Sequence, residues 1–118
     1  MAEFKLDASS SDCSARAGTI SINNKEIQTP VFMPVGTYGA VKTLLPSEIS
    51  SVGYKLILAN TYHIYMRPGI EILKQSKGLH KFMNWNDLIL TDSGGFQIYS
   101  LKGLRKIHDD GATFQSHL

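Results

Sequence analysis

One cysteine, Cys13, is all the sulfhydryl chemistry that 118 residues hold, so no disulfide can form within the chain. A cystine-stapled secreted scaffold is thereby excluded, and a reduced compartment is the expectation. No apolar run approaches the ~20 residues of a membrane span. The opening residues, MAEFKLDASSSD, carry acidic groups where a signal peptide needs an apolar core. Charge of one sign is scarce as well: 12 Lys and Arg stand against 10 Asp and Glu, with no basic run. Charge alone therefore argues little for a nucleic-acid partner. The four histidines, at 63, 80, 108 and 117, are scattered, and with a lone cysteine they compose no metal site from ligands adjacent in sequence. What remains is a cytoplasmic protein without a membrane segment. Its 42% hydrophobic content suffices for one ordinary core.

The pattern along the chain then divides it. Residues 9–14, SSSDCS, read as a loop. Thr19-Ile-Ser-Ile22 alternates with period two, and Asn23-Asn24 before Lys25-Glu-Ile-Gln28 suits a two-residue hairpin turn. Residues 1–29 are expected to be a small antiparallel β-ribbon. Beyond them come three apolar runs without alternation, Val31-Phe-Met33, Leu56-Ile-Leu-Ala59 and Leu88-Ile-Leu90, as strands buried on both faces require. They begin 25 and 32 residues apart, room enough for a crossover helix between parallel strands. Pro46-Ser-Glu-Ile49 with Gly53 marks one such helix, and residues 68–76 before Gly78 mark a second. Ala112–Leu118 reads as a further strand beginning. The fold class expected for residues 30–118 is α/β, the first βα units of a barrel that these residues do not close, since closure takes about 250 residues.

Each apolar run ends in a polar loop, and in parallel α/β architectures those ends share the face where sites are built. Thr91-Asp-Ser-Gly-Gly-Phe-Gln97 is the richest of them. A serine protease also uses Asp-Ser-Gly-Gly, but it sets that motif in antiparallel barrels with cystines, and the Gly-x-Ser-x-Gly elbow fails because Thr91 stands two residues before Ser93. As an alternative actor, Asp92 would be a partly desolvated carboxylate suited to proton transfer. Gly94 and Gly95 would let a flat ligand approach the backbone, Phe96 would stack on it, and Gln97 offers donor and acceptor. From the residues alone, an Asp92 that caps the next helix and a Phe96 in the core are equally admissible. Asn60 is either a turn former or a reader of base edges. His63 is a structural residue more readily than a catalyst, and Arg67 a solvated or paired one. Phe82 and Trp85 read as packing residues, with an oligomer contact as second choice. Lys102, Arg105 and Lys106 form a small basic face, either solvated or laid against a tRNA backbone.

Taken in order, several of these stretches resemble one family. They are Thr29-Pro-Val-Phe-Met-Pro-Val-Gly-Thr37, Leu58-Ala-Asn-Thr-Tyr-His63 with Arg67-Pro-Gly69, Gly78-Leu-His-Lys-Phe-Met-Asn-Trp85, Leu90-Thr-Asp-Ser-Gly-Gly-Phe-Gln97 with Ser100-Leu101, and Phe114-Gln-Ser-His-Leu118. From about residue 14 onward the chain resembles the queuine tRNA-ribosyltransferases, or tRNA-guanine transglycosylases, of bacterial type. The resemblance implies a (β/α)8 barrel pentosyltransferase that exchanges the wobble guanine of tRNAs with GUN anticodons for the 7-deazaguanine preQ1, in queuosine biosynthesis. It implies that Asp92 is the proton acceptor for the incoming base and that Asn60, Ser93, Gly94, Gly95, Phe96 and Gln97 line the base pocket. It further implies a cytoplasmic homodimer using the Trp85 region. A nucleophilic aspartate and a structural zinc site are expected beyond these residues, with no metal ligands in this segment, so the segment alone is expected to be inactive. The alternative is a truncated, non-catalytic paralogue that pairs with a full-length subunit or binds tRNA.

Overall fold

A computed structural model describes residues 2–100, 103 and 105–115, in a mixed α/β arrangement. Strands β1 (Ala2–Ser9), β2 (Arg16–Ile22) and β3 (Lys25–Thr29) form an antiparallel ribbon in that order. The β2–β3 turn is made by Asn23 and Asn24, at φ 49° and 62°. Two consecutive left-handed residues match the right-handed twist of the flanking strands, and asparagine reaches that region at low cost. The hairpin is therefore where the sequence pattern puts it. Strand β1 was not singled out within the ribbon, although Ala2-Glu-Phe-Lys-Leu-Asp-Ala-Ser9 alternates with period two; all of its residues are exposed.

A second sheet runs parallel in the order β4 (Val35–Gly36), β5 (Leu56–Ala59), β6 (Leu88–Thr91). Here one expectation is corrected. The run Val31-Phe-Met33 is irregular, with Val31 and Phe32 exposed, and the strand is confined to Val35 and Gly36. Pro30 and Pro34 bracket the run and bring no N–H to a ladder. The Pro34 carbonyl accepts from the Leu58 N–H at 3.0 Å, which starts the pairing one residue later.

Helix α1 (Pro46–Ser51) opens on proline as expected, and the Glu48 carboxylate accepts from the Leu45 N–H at 2.6 Å. Between β5 and β6 lie three short helices rather than one: α2 (Thr61–Met66), α3 (Ile70–Gln75) and α4 (Leu79–Met83). Only α3 answers the pattern over 68–76. Asn60-Thr-Tyr-His63, read as loop, is the start of α2. After β6 come α5 (Gly95–Ser100) and a separate antiparallel hairpin of β7 (Arg105–His108) and β8 (Gly111–Phe114). Of the strand expected over 112–118, β8 covers the start and pairs with β7, residues 116–118 lie outside the described residues, and no fourth strand joins the parallel sheet among the described residues.

Both faces of β5 are covered, and so is the start of β6, but the expectation of burial on both faces fails at Leu90, which is exposed. Ile57 and Ile89 face the helical side, where Ile49, Met83 and Trp85 complete a buried cluster. Leu56 and Leu88 face the ribbon, which sets Ile27 against them, with Ile22 and Met33 at the margin. Lys25 ties the ribbon down by pairing with Asp87 at 2.9 Å and donating to the Asn86 carbonyl. Since Leu56 and Leu88 open their strands, the ribbon covers the N-terminal end of the sheet and leaves the C-terminal ends free.

Trp85 is 2% exposed, and its indole N–H donates to the Leu88 carbonyl at 3.0 Å. Truncating a ring at such a position removes its transfer free energy and opens a cavity. Trp85→Ala is expected to lower stability by about 3–5 kcal/mol, read as a displaced urea midpoint. An unmoved midpoint would contradict this packing.

Candidate functional site

The in-register pairing of β5 with β6 sets Ala59 opposite Thr91. The next residue of each strand, Asn60 and Asp92, leaves the sheet beside the other, and the Asp92 N–H still donates to the Ala59 carbonyl at 3.2 Å. From there the polar groups interlock. Asn60 is the N-cap of α2, its Oδ1 accepting from the His63 backbone N–H at 3.1 Å. Its Nδ2 donates to Asp92 Oδ2 at 2.7 Å. The Thr61 backbone N–H, free because it lies in the first helical turn, donates to Asp92 Oδ1 at 2.9 Å. The Thr61 hydroxyl donates to the Asp92 backbone carbonyl.

Asp92 is half-buried, with both carboxylate oxygens engaged. It does not cap the helix that follows it; Gly94 precedes α5 and its carbonyl accepts from the Ile98 N–H at 3.1 Å. The carboxylate is instead turned toward the start of α2. Nor is Phe96 core: it is 71% exposed, a ring open to a partner. Its neighbour Gln97 is buried, and its Oε1 accepts no hydrogen bond among the described residues. Gly94 sits at φ +76°, buried, 3.6 Å from Tyr62 when a Cβ is placed on it. Backbone conformation demands glycine there. Gly95 is exposed and would meet Ser93 Oγ at 3.5 Å, an ordinary contact.

Ser93 and Gly94 open on a cavity of about 260 Å³ shared with Thr61, Tyr62, Tyr65 and Ile98. Asp92 does not line it. No histidine bonds Ser93 among the described residues, which leaves the protease constellation without its base. His63 packs between rings, with Tyr38 at 5.1 Å and Tyr62 at 5.3 Å, both edge-on. Trp85 lies in the core, so any subunit contact in its region would fall to exposed neighbours such as Lys81, Asn84 and Asn86. Arg67 is the exposed C-cap of α2. Of the basic trio, Arg105 and Lys106 stand on β7, while Lys102 lies outside the described residues. Among the described residues no three of His, Cys, Asp and Glu gather where they would hold a metal ion. No helix there is long and apolar enough to cross a membrane.

The site thus joins Asn60 and Asp92, foreseen separately, through Thr61, which sequence reasoning passed over. A signal for Thr61 did exist. Two strands that pair in parallel bring the residues after them together, and Asn60 at a helix start implies a free N–H on the next residue.

A family model described as queuine tRNA-ribosyltransferase matches residues 11–118. A queuine tRNA-ribosyltransferase of Dehalococcoides mccartyi (strain CBDB1) is 53% identical over 115 residues, covering 98% of this chain and 29% of the relative. That of Psychrobacter sp. (strain PRwf-1) is 56% identical over 102 residues, covering 86% and 27%. That of Solibacter usitatus (strain Ellin6076) is 53% identical over 116 residues, covering 98% and 31%. The chain spans less than a third of the length of these curated relatives.

The two glycines make a paired test. Gly94→Ala forces a left-handed alanine and is expected to cost about 1–2 kcal/mol. Gly95→Ala, in the first helical turn, is expected to be neutral or stabilising by up to about 1 kcal/mol. Thermal unfolding of both variants checks the contrast, and equal losses would contradict it.

Proposed function

This chain belongs to the queuine tRNA-ribosyltransferase family, and from that premise we propose that it is the N-terminal part of a bacterial-type tRNA-guanine transglycosylase. The complete enzyme is a pentosyltransferase that replaces the wobble guanine of GUN anticodons with preQ1. The parallel strands β4, β5 and β6 are the first of a (β/α)8 barrel, and the ribbon closes its N-terminal end. A nucleophilic aspartate, the structural zinc site and most of the tRNA surface belong to the part of the relatives beyond this chain. The enzyme works as a cytoplasmic homodimer, with the region around Trp85 at the contact.

Exchange of one base for another on a ribose needs two separate acidic groups. One attacks C1′ and holds the sugar while guanine leaves. The other takes the proton that the incoming heterocycle gives up as its ring nitrogen bonds to C1′. Asp92 fills the second role. Gly95, open and without a side chain, lets a flat ring lie close to the backbone, and the exposed ring of Phe96 stacks on it. Ser93, Gly94 and Gln97 complete the platform. The target base must leave its stack to reach such a surface.

The observation that carries this reading is the position of Asp92: a half-buried carboxylate at the C-terminal ends of parallel strands, beside Asn60 and the Ser93–Gln97 platform. In the protein completed to the length of its relatives, Asp92→Asn is expected to lower guanine exchange into tRNA about 10²–10⁴-fold with the fold retained, although the asparagine nitrogen cannot accept the bond that one carboxylate oxygen takes from Asn60 or Thr61. Near-normal turnover would contradict the role. The 118-residue chain by itself is expected to exchange no radiolabelled guanine into tRNA, because it holds one carboxylate of the two; measurable exchange would contradict that division.

A further inference from the structure

We propose that the cavity between α2 and α5 takes an unpaired nucleobase of the tRNA, the one next to the exchanged guanine, with Tyr65 as the ring it stacks on. The inference rests on the transglycosylase reading above and adds a second base site to it.

The cavity holds about 260 Å³ and lies at the C-terminal ends of β5 and β6, where Thr61 and Tyr62 open α2 and Ser93 and Gly94 lead into α5. Among the described residues no charged side chain lines it. The Thr61 N–H and hydroxyl are both taken up by Asp92. A phosphate or an ammonium group would therefore enter without a counter-charge, which is costly. A flat neutral ring carries no such cost. The volume is below the about 300–1,000 Å³ of sites for whole small molecules, so it suits one ring system, with sugar and phosphate left outside.

The lining has the chemistry of a base-stacking surface. Tyr62 is 6% exposed and forms the buried wall, while Tyr65 lines the same cavity and is 63% exposed. Residues three apart on a helix share a face, so the two rings belong to one side of α2, and half-buried Ile98 closes the side of α5. Bases of single-stranded RNA stack on such exposed aromatic rings. Ser93, also exposed, adds a hydroxyl able to donate or accept at a base edge. The position of the cavity names the base. Ser93 and Gly94 border it, and the next two residues, Gly95 and Phe96, carry the platform for the exchanged guanine. A base drawn out of its stack leaves the adjoining one without that stacking partner, and the shared backbone brings it along.

In the full-length protein, Tyr65→Ala is expected to raise KM for tRNA about 10–100-fold, with kcat at saturating tRNA and KM for free guanine unchanged. Its unfolding temperature is expected to hold, because the ring is largely exposed. Tyr65→Phe keeps the stacking face and is expected to behave as the unsubstituted protein. A direct signal comes from 2-aminopurine placed in an anticodon stem-loop on either side of the exchanged guanine. At one of the two positions its fluorescence is expected to be quenched by stacking when the protein binds, and Tyr65→Ala is expected to abolish the quenching. A normal KM for tRNA in Tyr65→Ala would overturn the proposal, as would quenching that persists in that variant. A loss of stability with tRNA affinity unchanged would mean that later parts of the chain pack into the cavity, and would overturn it too. If the unsubstituted full-length protein exchanges no guanine, the transglycosylase reading falls and this inference with it. If exchange is normal and Tyr65→Ala leaves it so at every tRNA concentration, only the second base site falls.

Discussion

The parallel pairing of Leu56–Ala59 with Leu88–Thr91 is the constraint on which the site depends. Strand residues advance about 3.3 Å each and alternate faces, so a slip of one residue would move Asn60 away from Asp92 and turn the apolar side chains over. Register is guarded on both faces. Ile57 and Ile89 are committed to the cluster around Trp85, and Leu56 and Leu88 to the ribbon residue Ile27. Hydrophobic burial at one end of the strands thereby fixes hydrogen bonding at the other. The Asp92 carboxylate is held at 2.7 Å and 2.9 Å because leucines at the opposite end have one place to go.

The ribbon contributes to this at a distance. Its turn residues adopt left-handed conformations that set the β2–β3 register, which brings Ile27 to the sheet and Lys25 to Asp87. The ion pair itself is partly exposed and contributes little. Its companion bond to the Asn86 carbonyl secures the loop that leads into β6. The division follows the usual logic of α/β architecture, with apolar stabilising contacts at the N-terminal ends of the strands and the interlocked polar groups of Asn60, Thr61 and Asp92 at the C-terminal ends.

Much of this was legible in the residues. The Asn-Asn turn, the helix at Pro46 and the strands at 56 and 88 follow from local rules, because turn chemistry, proline and doubly buried strands leave strong marks. The strand misread at Val31-Phe-Met33 shows the limit of hydrophobicity as a signal: Pro30 and Pro34 remove donors, and backbone bonding outweighs apolar character. Helix α2 was hidden because its first turn, Thr-Tyr-His-Ile, carries β-branched and aromatic residues of poor helical propensity. Only the tertiary pairing of Asn60 with Asp92 reveals why the chain turns there. Thr61 was missed for the same reason, since its two bonds, from the backbone N–H and from the hydroxyl, both go to Asp92 across the sheet. The site as a whole was read by resemblance to a family. Its internal geometry, with the amide bound at one end to a helix and at the other to the acid, required coordinates.

The Asp92 carboxylate is held at both oxygens by Asn60 and Thr61 at the start of α2. Phe96 and Gly95 stand open beside it, and the start of α2 is the pivot. The most direct measurement is a titration of the full-length protein, labelled with ¹⁵N, with the free base preQ1. The account predicts that the Thr61 amide and the Asn60 side-chain amide shift together with the Gly94 and Gly95 amides, saturating at one common dissociation constant, and that Asp92→Ala abolishes the response. Shifts confined to other parts of the protein, with Thr61 and Asn60 unmoved, would contradict it.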